Sequence, residues 1–171
     1  EYRLIVRGMK MAVDLFKKID NTVLDLQASQ SQTYEGLLEN LAQLLSHEDL
    51  QPFNETLTQN IDLEQFLEAS YATQQGMFGT SKLQWTGNDK KDLGLKYALV
   101  QKQGDDTSYA SNFAYEFFSS RDNKIISCIH NLVRGLIIPF VRDYKEYVAS
   151  NSKIEHELKT YDANAVAQSN R

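Results

Sequence analysis

The sequence predicts an all-α bundle of about six helices, interrupted by a short irregular or β-hairpin-like insert around residues 77–88. Three observations carry that expectation. Apolar residues recur at helical spacing through most of the chain, and only 2 prolines and 8 glycines punctuate its 171 residues. No stretch alternates strand and helix as a parallel sheet requires.

The first helix has the clearest pattern. Ile5, Met9, Ala12, Phe16, Ile19, Val23 and Leu26 are spaced 4-3-4-3-4-3, with Arg7, Lys10, Asp14, Lys17, Lys18, Asp20 and Asp25 between them. That is a heptad seam, which gathers the apolar residues on one stripe of a long helix. Val13 and Leu15 are expected to widen the stripe, as in a helix that joins a globular bundle. The polar run Ser29-Gln30-Ser31-Gln32-Thr33 ends it.

A second helix follows, with Tyr34, Leu37, Leu38, Leu41, Leu44 and Leu45 in register, and stops at Ser46-His47-Glu48-Asp49, before Pro52. Asp62 is an N-cap for a third, with Gln65 three residues on and Leu63, Phe66, Leu67 and Tyr71 behind it; Gly76 is its natural stop. Between Met77 and Asn88, Leu83-Gln84-Trp85 reads as a short strand or extended loop. Helical spacing returns at Leu93, Tyr97 and Val100 and ends at Gly104. Asp106 or Thr107 caps the next helix, with Tyr109, Phe113 and Phe117 on one face. The last strong element begins near Asp122. Ile125, Ile129, Leu132, Leu136, Phe140, Tyr144 and Tyr147 mark it as the central core helix, with a kink expected at Pro139. The bundle is expected to fill residues 1–150. The polar tail 151–171 supports one short helix through Ile154, Leu158 and Tyr161.

Composition narrows the function. A hydrophobic fraction of 42% and a charged fraction of 24% suit one globular domain with a core of its own. The net charge of −5 argues against a nucleic-acid partner. Cys128, the single cysteine, leaves no intrachain disulfide or multi-cysteine zinc site and reads as a small buried hydrophobe. No run approaches the ~18 uninterrupted apolar residues of a membrane span, so a cytoplasmic location without membrane contact is expected. The chain does not begin with Met and is expected to be a piece of a longer protein. Asn54-Glu55-Thr56 matches the N-glycosylation pattern and is read as chance.

The sequence holds no phosphate-binding glycine loop, no nucleophile elbow and no H-E-x-x-H zinc motif, and neither a cofactor nor a metal is expected. His47-Glu48-Asp49 and Glu155-His156-Glu157 read as solvated runs rather than metal ligands. Arg121 and His130 are too far apart for the Arg-x4–6-His spacing of helical ribonucleases. His130, with Asn131 and with Arg134 at i+4, forms a polar trio on the most apolar helix, read first as its polar flank. In Arg142-Asp143-Tyr144-Lys145-Glu146-Tyr147 the aromatics and basic groups interleave with acids, as helix packing explains.

The preferred expectation is a non-enzymatic interaction or regulatory module. It associates with a second copy or a neighbouring domain through Ile5, Met9, Phe16, Ile19, Val23 and Leu26 of the first helix. A terminal helix of this kind either closes its own bundle or pairs with another chain, and the heptad allows both. One alternative is a small-ligand or nucleotide sensor with Trp85, Tyr109, His130 and Arg134 around an interhelical pocket. A second alternative is an enzyme acting on nucleic acid or nucleotides, with a site assembled from distant residues and no catalytic residue assigned.

Overall fold

The computed structural model describes residues 2–76 and 80–152, with side chains described from Val13 onward. Seven α-helices and no strand occur among them: α1 (Tyr2–Gln27), α2 (Tyr34–Leu45), α3 (Gln51–Thr58), α4 (Leu63–Tyr71), α5 (Asp89–Asp105), α6 (Thr107–Phe117) and α7 (Ile125–Ser152). The polar tail beyond residue 152 lies outside the described residues.

Side-chain caps open three of the helices. The Asp62 carboxylate accepts the Gln65 backbone N–H at 2.9 Å and opens α4. Asn88 does the same for Lys91 N–H at α5, and Asp106 for Tyr109 N–H at α6. Helix α3 is an addition to what the periodicity predicts. Pro52 does not stop a helix here; it stands in the first turn of α3, where its missing N–H would have had no helical partner. Nor does Pro139 end α7. Residues Val133–Ile137 form a π turn in which Ile138 N–H donates to the Val133 carbonyl. An α-helical register would aim the Gly135 carbonyl at the Pro139 ring, and the wider turn shifts the register by one residue just ahead of it. Where a kink is expected, a π turn precedes Pro139 and the helix continues.

The insert proves irregular rather than hairpin-like among its described residues. Residues 80–86 are extended and run back along α4, held by two hydroxyls of that helix and its end. Thr73 Oγ1 accepts from Lys82 N–H at 2.7 Å, and Ser70 Oγ from Gln84 N–H at 2.9 Å. Thr86 donates from both its N–H and its hydroxyl to Asp92, at 2.8 and 2.7 Å. Ser81 is hydrogen-bonded to Glu116 on α6.

Helix α5 runs through the middle, packed on α2, α3 and α6. It lies close because it offers glycine at two crossings. A Cβ on Gly94 would be driven into the Leu57 carbonyl of α3, and one on Gly104 into Ala42 of α2, 2.9 Å from the Leu38 carbonyl oxygen. Among the described residues helix α7 gives the core more side chains than any other helix, among them Cys128, Ile129, Leu132, Val133, Leu136, Ile137 and Phe140, all at most 1% exposed. It is the one helix among the described residues long and apolar enough, by length and composition, to cross a membrane; in this fold those side chains are covered by the bundle.

One buried polar node joins three helices. Tyr144 on α7 donates its hydroxyl to Asn54 Oδ1 on α3, and Asn54 Nδ2 donates to the Leu45 carbonyl at the end of α2, at 2.9 Å. Asn54 is 4% exposed, so the amide that a glycan would occupy is already committed to the fold. Burial, with the neighbouring Tyr97 phenol behind it, pushes the Tyr144 hydroxyl well above the usual phenol range.

Gly94→Ala and Gly104→Ala should each destabilise the domain by about 1–3 kcal/mol in urea unfolding, because the backbones must separate. Gly36→Ala, on an exposed face of α2 with open space around it, should instead stabilise by about 0.5–1 kcal/mol. Asn54→Ala strands both the Tyr144 hydroxyl and the Leu45 carbonyl, and should cost about 2–4 kcal/mol in the same measurement.

Candidate functional site

Helix α1 carries the apolar seam, so its two sides decide what it can bind. It runs antiparallel to α7: Ser29 beyond its C-terminus meets His130, while Asp20 meets Lys145 and Phe16 meets Tyr144. The seam faces this partner and α2. Ile19 and Leu26 are fully buried, Val23 is 8% exposed, and Phe16 is half-buried with its ring edge-on to Tyr144 at 6.5 Å. These side chains close the bundle of their own chain. Ile19, Val23 and Leu26 therefore leave no surface for a partner, which corrects their assignment to an interface. The other two seam residues, Ile5 and Met9, have side chains outside those described.

The outer side of α1 differs. Val13 is 66% exposed and Leu24 60%. Leu15 does widen the buried stripe, at 7% exposed, but Val13 points away from it. With 100° per residue, positions 13 and 24 fall within about 20° of each other on the helix, three turns and ~16 Å apart. Between them on that line lie Lys17, exposed, and Asp20, whose carboxylate accepts from Lys145 Nζ at 2.8 and 3.0 Å. Leu24 was not among the residues the heptad singled out. Its signal is the eleven-residue interval from Val13, which a search for one seam passes over.

The four residues expected around a pocket each have separate partners. Trp85 lies on Phe66 of α4, with ring centroids 4.9 Å apart, and Lys96 Nζ stands 5.2 Å from its centroid. Tyr109 packs on Phe113 beneath Lys102, whose Nζ is 4.5 Å from the ring; burial first, and then the Tyr71 phenol, push its hydroxyl above the usual range. His130 Nε2 lies 2.8 Å from the Ser29 carbonyl. Because a carbonyl only accepts, that nitrogen carries the proton. Arg134 donates to Asn131 Oδ1 at 2.7 Å, and Asn131 Nδ2 reaches the Phe118 and Ser119 carbonyls at the end of α6. The polar trio of α7 thus fastens loops to the core helix. His130 and Arg134 share a helix, but no hydrogen bond or ring contact joins either to Trp85 or Tyr109.

None of these four residues lines either of two hollows found among the described residues. A groove of about 520 Å³ lies at the α1–α2 elbow, bordered by Asp25, Ala28, Ser29, Thr33, Gly36 and Leu37. A smaller one of about 170 Å³ lies beside the start of α5, near Asn60, Ile61, Lys90 and Lys91. Among the described residues no group of three or more His, Cys, Asp and Glu is placed to hold a metal ion. His47 instead caps a short turn, its Nδ1 accepting from Asp49 N–H at 3.2 Å.

Comparison with known proteins adds one relative. The chain is 42% identical over 138 residues to the Uncharacterized protein YuaY of Escherichia coli (strain K12); the match covers 81% of this chain and 46% of that protein. The chain therefore spans about half the length of the curated relative it matches. No family model and no solved structure matches it.

Proposed function

We propose that this domain is a helical interaction module that associates through the outer line of α1. The observation that carries the reading is the pair of large apolar side chains on one line of that helix, Val13 at 66% and Leu24 at 60% exposed. Isolated surface leucines and valines are common. Here two share one face of the helix whose other face anchors the bundle, so a partner seated on it is tied rigidly to the core. At the edge of that face the Asp20–Lys145 pair links α1 to α7. Each apolar side chain covered by a partner contributes about 1.5–3 kcal/mol before the cost of association.

Site-specific photocross-linking tests this in cells. A photoreactive residue at position 24 should form covalent protein adducts, and Val13→Lys should suppress them by spoiling the same surface. The same probe in place of exposed Glu64 on α4 should give none. Val13→Lys should leave stability within about 0.5 kcal/mol, since its side chain lies in water. Equal adducts from position 64, or adducts from position 24 indifferent to Val13→Lys, would sink the proposal.

A further inference from the structure

We infer that the partner on this line is a second copy of the chain, packed antiparallel across a two-fold axis that crosses α1 between Lys18 and Ile19. The inference rests on the reading of α1 as the association surface and adds the occupant and its register. Read along the helix, the line is apolar, basic, acidic, apolar: Val13, Lys17, Asp20, Leu24. The midpoint of 13 and 24 is the midpoint of 17 and 20. One two-fold axis through that point therefore sets Val13 against Leu24 of the second copy, twice. It also sets Lys17 against Asp20 of the second copy, twice. An isologous interface requires this self-complementarity.

The charges also choose the direction. Two parallel copies would stack Lys17 on Lys17 and Asp20 on Asp20, and like charges in contact are repulsive. In the antiparallel arrangement Asp20 holds its own Lys145 with both oxygens, and its remaining lone pairs accept Lys17 from the other copy. With its side chain 46% exposed, the carboxylate stays open to that approach. The contact contains four apolar side chains and two exposed ion pairs. Such pairs set register more than strength, so the dimer is of the reversible kind that concentration controls.

Light scattering on the full chain reads the first consequence: the mass should rise with concentration from 19.6 kDa toward twice that value. Lys17→Glu should shift it back to monomer. Lys18→Glu, with the same change in charge but off the line, should not. Cysteine pairing reads the register. A Val13→Cys chain mixed with a Leu24→Cys chain should form a disulfide-linked dimer under oxidised glutathione. Either variant alone should not, because its own thiols lie ~16 Å apart across the axis, well beyond disulfide reach. Cys128 is fully buried and does not compete. A concentration-independent monomer, or a disulfide from Leu24→Cys alone, overturns the inference. If the monomer still gives photoadducts with a different protein from position 24, the association surface stands and only the self-pairing falls.

Discussion

Tyr144 is the point at which the helices of this fold are fixed to one another. It is 1% exposed, and its ring stacks on Tyr97 of α5 at 6.1 Å, receives the edge of Phe16 of α1 and lies 5.4 Å from Phe140 of its own helix. Its hydroxyl reaches Asn54 on α3, whose amide closes the end of α2. One side chain on α7 thus connects, directly or through one neighbour, to four other helices. A phenol serves where a phenylalanine would not, since the buried amide needs a donor and an unpaired one costs as much as the contact supplies. The glycine crossings of α5 complement this node by letting α2 and α3 come close enough to share it.

That arrangement determines what α1 has left to offer. Phe16, Ile19, Val23 and Leu26 are drawn toward α7 and α2, and the Asp20–Lys145 pair and the Ser29–His130 contact set the antiparallel register. The helix is then held on one side, while on the other, among the described residues, Val13, Lys17 and Leu24 are exposed. The proposed association uses that exposed side, so it asks for no rearrangement of the bundle and leaves the core of each copy intact. His130 and Arg134, two of the residues expected around a ligand pocket, are engaged in holding loops and helix ends together.

The features legible in the sequence were local ones. The caps at Asp62 and Asp106 could be read because the group that stops the chain also accepts the first free N–H. The apolar face of α7 could be read because burial repeats along it. Helix α3 was not legible. It is eight residues long with Phe53 and Leu57 as its apolar marks, and it holds through tertiary contacts at Asn54 and under Gly94. The α1 seam was visible, but a heptad does not say whether its partner belongs to the same chain or another; the register with α7 decides that. Val13 shows the limit most clearly. Beside Leu15 in sequence, it reads as part of the inward stripe, yet the two point to different sides of the helix.

The claim on which the rest depends is that α1 has one side inside the bundle and one side free. Comparing Ile19→Asp with Leu24→Asp, by thermal melting in circular dichroism beside solution mass, addresses it directly. A charge at the fully buried position 19 should abolish the cooperative melt, while the same charge at the 60% exposed position 24 should leave the melt in place and remove only the dimer. A folded Ile19→Asp monomer, or a Leu24→Asp chain that fails to fold, would contradict the account.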